Sequence, residues 1–75
     1  MTVVELANEL KRMYESGIPA KEQATMIHIF GIKYAEVIRK NGYTPRQILK
    51  YAGMPESYQV EINKGIKLSK YVVVK

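Results

Sequence analysis

The chain has 75 residues, a formal net charge of +5 and no cysteine, and 47% of its residues are hydrophobic. This length favours one domain, residues 1–75, with a modest core, while the composition argues against disorder and excludes disulfide and thiolate chemistry. The chain has no long apolar run, and its polar, acidic start is unlike a signal peptide. We therefore expect a cytoplasmic protein with no membrane partner.

Thr2 and Glu5 are three residues apart and predict a capping box at the start of a helix that runs to about Ser16. Apolar residues recur at spacings of three and four along this helix: Val3, Leu6, Leu10 and Met13. Such a stripe favours packing on the protein's own core over a two-helix seam with another chain.

Residues 17–19, Gly-Ile-Pro, break the first helix. Residues 20–30 predict a second helix with little polar face, which we expect to be the most buried. Gly31 interrupts that helix, and residues 32–40 predict a third one, closed by Gly42.

Residues 44–65 predict a short helix, a tight turn and a second short helix. Thr44 can cap the first helix and Pro45 fits its first position, where the missing amide proton costs nothing. Gly53 supplies the turn, and Gly65 is placed to end the second helix. Apolar residues share faces on these helices: Ile48, Leu49 and Ala52 on the first, Tyr58 and Ile62 on the second.

The run Tyr-Ala-Gly-Met at residues 51–54 resembles the lac-repressor type of helix-turn-helix DNA-binding motif, in which a Tyr-Ala-Gly-aliphatic run precedes the recognition helix. Two positions depart from that pattern: Leu49 replaces a small Ala, and Gln59 replaces a buried Val or Ile. The chain is also similar to small bacterial modules found beside or within restriction and phage-defence proteins. The resemblance implies a sequence-selective double-stranded DNA-binding protein, either a small bacterial or phage transcriptional regulator or a DNA-reading module.

If the second helix of this motif enters the major groove, its outer face supplies the base-contacting candidates: Glu56, Ser57, Gln59, Val60 and Asn63. Gln59 and Asn63 have the amide chemistry that reads adenine, and Val60 suits a thymine methyl. Basic side chains near them are the phosphate-contacting candidates: Arg46, Lys50, Lys64, Lys67 and Lys70.

The charge distribution supports this interpretation. Residues 1–38 hold four basic and five acidic side chains, whereas residues 39–75 hold eight basic and two acidic ones. A basic half around the motif predicts a polyanionic partner, with nucleic acid ahead of membrane, although lysines that only keep a small domain soluble are the alternative.

Residues 30–42 weakly echo residues 52–65, because a Gly-aliphatic turn again leads to a helix with a Tyr, a Glu and a closing Gly. A second bihelical unit could therefore lie there. Its basic residues form a second-choice DNA surface: Lys33, Arg39 and Lys40.

After Gly65 the sequence becomes β-prone, which predicts a strand or small hairpin, a wing, at residues 66–74. A Tyr71–Val74 strand could pair with its counterpart in a homodimer that presents two recognition helices to two half-sites. The alternative function is a protein-interaction module whose tail pairs with a partner's sheet. The predicted fold is thus mainly α, with four to five short helices and this C-terminal strand.

We expect no enzyme, no cofactor and no metal site. The chain has one histidine and no aspartate, and no spacing of possible ligands supports a metal site. Neither a glycine-rich phosphate loop nor a Ser/His/Asp set can be found. His28 lies in an apolar helix and should be a partly buried structural residue. Tyr43 and Tyr71 are freer than the other tyrosines, so a single-strand or RNA binder that stacks bases on them is a third alternative.

Overall fold

A computed structural model describes residues 1–74, in which the chain forms four α-helices, one short 3₁₀ helix and no strand. The helices are α1 (Val3–Ser16), α2 (Gln23–Asn41), α3 (Pro45–Ala52) and α4 (Gln59–Leu68), and the 3₁₀ helix (Glu56–Tyr58) precedes α4. α2 packs chiefly on α4, and α1 packs on α3 and α2. None of the helices is long and apolar enough to cross a membrane.

The two predicted helix caps, at Thr2 and Thr44, are confirmed, because local hydrogen bonds hold them. The second helix begins at Gln23 rather than at the predicted residue 20. The Glu5 amide donates to the Thr2 hydroxyl at 3.1 Å, and the Thr2 amide donates to the Glu5 carboxylate at 2.7 Å. These bonds hold the pKa of Glu5 below its ordinary value. Thr44 and Gln47 form the same capping box at the start of α3, with distances of 3.1 and 3.0 Å.

The prediction that Gly31 separates two helices is wrong, since α2 is continuous through it. Gly31 lies against Gly65 of α4, and a Cβ on Gly31 would lie 2.9 Å from the Gly65 Cα and 2.6 Å from the Ile62 carbonyl oxygen. Glycine is therefore needed here for close approach of two helix backbones. The echoed bihelical unit at residues 30–42 does not form for the same reason.

The predicted end of the second motif helix at Gly65 is also wrong, and so is the wing at residues 66–74. α4 continues to Leu68, residues 69–71 form a turn, and residues 72–74 have no regular structure. Ile66 packs against the core one turn after Ile62, so burial keeps it helical despite its β propensity. With residues 66–68 in α4, no second strand remains to pair with the tail.

The core lies where the apolar faces of all four helices meet. Its buried side chains include most of the predicted stripe of α1 and the whole predicted stripe of α3; they are Leu6, Ala7, Leu10, Met13, Ile27, Phe30, Ala35, Ile38, Ile48, Leu49, Ala52 and Ile62. Gly31 and Gly65 allow α2 and α4 to close over this core, which fixes the orientation of α4 and of its opposite, exposed face.

Candidate nucleic-acid interface

The connection between α3 and α4 has the predicted turn. Gly53 has a left-handed backbone with φ of 69°, a conformation that glycine adopts without the penalty of a Cβ. The Met54 amide then donates to the Leu49 carbonyl at 3.0 Å, which closes the end of α3. Residues 56–58 form a 3₁₀ helix, so the α-helical part of the second element begins only at Gln59.

Four candidate residues lie together on the exposed face of α4. Ile62 and Gly65 are buried against the rest of the protein, so the side chains at helical spacing on the opposite face point to solvent. Those side chains are Val60, Asn63, Lys64 and Lys67, and we call them the α4 face. Val60 leaves 55% of its surface exposed.

The other base-contacting candidates lie beside the α4 face. Gln59 is half-buried, at a position where the lac-repressor type has a buried aliphatic residue. Glu56 and Ser57 are exposed on the 3₁₀ helix, before the first turn of α4. The structure therefore brings Asn63, rather than the pair of Gln59 and Asn63, to the centre of the exposed surface.

An ion pair joins α3 to the 3₁₀ helix. The Arg46 Nε donates to the Glu56 carboxylate at 3.1 Å, and the two side chains are 71% and 62% exposed. Lys50 lies beside this pair, in a shallow depression that also contains Thr44 and Gln47. Arg46, a predicted phosphate-contacting residue, is thus paired with Glu56, a predicted base-contacting residue. The two are ten residues apart and on different elements, so the sequence does not indicate this ion pair.

The remaining basic candidates lie elsewhere. Lys70 lines a groove between α2 and residues 69–74, and Lys33 and Arg39 of α2 line the same groove. Lys40 is exposed near the end of α2, in a separate depression beside Asn41. The structure therefore groups Lys70 with the second-choice surface and not with Lys64 and Lys67.

His28 and Glu61 form a contact across the α2–α4 crossing, from the imidazole Nε2 to a carboxylate oxygen. Both side chains are partly exposed, and His28 is thus the partly buried structural residue that the sequence predicts. Among residues 1–74 no group of three His, Cys, Asp or Glu side chains could hold a metal ion.

A tyrosine pair anchors the start of α4 to α1. The Tyr14 and Tyr58 hydroxyls lie 3.1 Å apart, and their rings meet edge to face with centroids 5.6 Å apart. The hydrogen bond between the two hydroxyls raises the pKa of Tyr58. Tyr51 of α3 lies outside the buried stripe of that helix and is 58% exposed.

The two tyrosines predicted to be free have different environments. The Tyr43 hydroxyl donates to the Met1 carbonyl at 3.0 Å, and its side chain is half-buried. Tyr71 is almost fully exposed. Of these two rings, the structure therefore leaves open only that of Tyr71, so the two do not form a stacking platform.

The family model that matches the chain is described as an HTH-like domain and covers residues 2–75. This match confirms the helix-turn-helix resemblance of residues 51–54 and extends it over nearly the whole chain. Neither the curated proteins nor the solved structures yield a match to the sequence.

Proposed function

Since the chain belongs to the HTH-like domain family, we propose that it binds double-stranded DNA with sequence preference, without catalysis, as a small transcriptional regulator or as the DNA-reading module of a larger system. The observation that carries this proposal is the α4 face, which combines an amide, an exposed aliphatic side chain and two cations on the helix after the turn.

The dimensions and chemistry of α4 suit the major groove. Its ten residues span about 15 Å, and B-DNA's major groove admits an α-helix. Asn63 reads adenine through its side-chain amide, and Val60 contacts a thymine methyl. Lys64 and Lys67 bind phosphates at the edges of the groove, while Lys50 and Arg46 of α3 reach the adjacent backbone.

Neither of the two carboxylates near this contact lies on the α4 face. Glu61 pairs with His28 on the side that faces α2, and Glu56 pairs with Arg46 at the start of the unit. The α4 face itself carries two positive charges and no negative one. Each phosphate that it neutralises should add about −0.9 to the slope of log affinity against log salt concentration.

Two substitutions on adjacent residues test this assignment. Asn63→Ala should lower discrimination against a single wrong base pair by about 1–3 kcal/mol and leave random-sequence binding nearly unchanged. Lys64→Ala should weaken binding to every duplex and make the salt slope shallower by about 0.9. The preferred sequence is first selected from a random duplex pool, and affinities are then measured by fluorescence anisotropy.

Lys11→Ala is the matched control, because Lys11 is exposed on α1 and outside the proposed surface. Lys11→Ala should change neither the discrimination between base pairs nor the salt slope beyond the small effect of one distant charge. The groove assignment is wrong if Asn63→Ala and Lys64→Ala have the same effect on all sequences. The absence of any duplex binding at low salt would refute DNA binding itself, because non-specific attraction should then be visible.

A further inference from the structure

The C-terminal tail, residues 71–74, leaves the turn after α4 and lies beside α2 without regular secondary structure. Exposure alternates along it: Tyr71 is 82% exposed, Val72 46%, Val73 79% and Val74 41%. A period of two is the pattern of an extended chain with one face on the protein and one in solvent. All three valines line a groove with Ile32 and Ala35 of α2, which we call the tail groove; Val72 and Val74 are the more covered of the three.

Some backbone amides of the tail form no backbone hydrogen bond within residues 1–74. The Tyr71 and Val72 amides donate to the Leu68 carbonyl at 2.9 and 3.1 Å and end the turn after α4. Within residues 1–74, the amides of Val73 and Val74 donate to no other backbone group. Open amides between valine side chains are what a strand edge offers to another chain.

The charge of the tail groove indicates which charge a partner chain bound there should have. Lys33, Arg39 and Lys70 line the groove, and Glu36 is the one acidic side chain among its lining residues. A second copy that paired tail to tail would bring the same excess of positive charge against the groove, and like charges in such pairs are destabilising. Nucleic acid would meet the cations but leave the valines in water.

We propose that the tail and the tail groove bind an extended acidic segment of a partner protein by strand addition. The partner's backbone pairs with the tail amides, its apolar side chains cover the valines, and its carboxylates meet Lys33, Arg39 and Lys70. This site lies outside the α4 face, so it does not depend on the DNA-binding proposal and would let the domain hold a protein and a duplex at different surfaces.

The test is an NMR titration of the ¹⁵N-labelled full chain with a capped heptapeptide of alternating glutamate and valine. Amide shifts should be centred on residues 71–74 and on the part of α2 around Lys33 and Arg39. The same peptide with lysine in place of glutamate should produce much smaller shifts. A version with N-methylated alternate residues should bind about tenfold more weakly, because backbone hydrogen bonds are lost.

Two variants connect the binding to the groove. Arg39→Glu should weaken binding of the acidic peptide by about tenfold or more, since it replaces an attractive charge with a repulsive one. Lys11→Glu, the same charge change on exposed α1, should have little effect. Circular dichroism of both variants should match the original protein.

Four results would overturn the proposal. The first is the absence of shifts at millimolar acidic peptide, and the second is equal binding of the acidic, basic and methylated peptides. The third is self-association through the tail without peptide, seen by sedimentation velocity, which would make a second copy the occupant. The fourth is displacement of the peptide by random duplex with the same tail shifts, which would make the groove a nucleic-acid surface.

Discussion

Replacing Glu56 with glutamine should strengthen binding to duplex DNA of any sequence. The Glu56 carboxylate accepts a hydrogen bond from Arg46 at 3.1 Å, beside the surface where Arg46 is proposed to meet a phosphate. The carboxylate therefore competes with the phosphate for the guanidinium and also repels it. Glutamine keeps the size and one acceptor oxygen of the side chain but removes the negative charge.

The size of the effect follows from the exposure of the pair. Since both side chains are more than half exposed, their ion pair contributes at most about 1 kcal/mol, and a unit charge about 7 Å from a phosphate costs about 0.6 kcal/mol in water. Together these terms predict a gain of about 1 kcal/mol, or about fivefold in affinity at low salt. The gain should shrink as salt rises. Folding stability should fall by less than about 1 kcal/mol.

The assay is fluorescence anisotropy with a random-sequence duplex over a range of salt concentrations. Glu15→Gln is the matched control, because Glu15 is exposed on α1 and its loss changes the net charge equally. In a protein that already carries Arg46→Gln, Glu56→Gln should increase the affinity for DNA by a smaller factor, since no guanidinium remains to be released. Equal gains from Glu56→Gln and Glu15→Gln would refute the local argument and leave only net charge. A loss of affinity in Glu56→Gln would show that Glu56 contacts the DNA directly.

Two further predictions concern stability. Gly65→Ala should lower the free energy of unfolding, measured by urea denaturation, by about 1–3 kcal/mol, because the new Cβ would meet the backbone of α2 near Gly31. Lys64→Ala, at an exposed neighbouring position, should change it by less than about 0.5 kcal/mol. Equal losses in the two variants would argue against the close helix crossing. The raised pKa of Tyr58 means that its hydrogen bond with Tyr14 stabilises the fold fully below the unfolded value of 10.0 and that this contribution is lost as pH rises through the folded pKa. Tyr58→Phe should therefore reduce the loss of stability above about pH 10, and Tyr71→Phe, at an exposed position, should leave that loss unchanged; an unchanged alkaline profile in Tyr58→Phe would refute this linkage.

Local signals in the sequence determined where α1 and α3 begin and where the motif turns. The capping boxes at Thr2 and Thr44 and the left-handed turn at Gly53 rest on hydrogen bonds and backbone preferences within a few residues. The stripes of α1 and α3 are equally local, because helical spacing alone places their apolar side chains on one face. These features were sufficient to find the helix-turn-helix.

The tertiary structure decided what the glycines and the β-prone tail do. A glycine in the sequence carries the same signal whether it ends a helix or lets two helices touch, and only the contact between Gly31 and Gly65 separates these outcomes. Similarly, Ile66 remains helical because the core buries it. Propensity describes one segment in isolation, whereas burial depends on segments far apart in the chain.

The same distinction applies to the candidate sites. Helical spacing was enough to place Asn63 and Lys64 among the exposed candidates of α4. It could not show that Arg46 is paired with Glu56, or that Lys70 joins α2 across the tail groove, because those relationships join residues on different elements. The sequence by itself thus determined α1, α3, the turn at Gly53 and the residue types offered to a partner. The packing of α4 on α2 decided which of them share a surface, since side-chain positions across elements are set by burial and not by spacing.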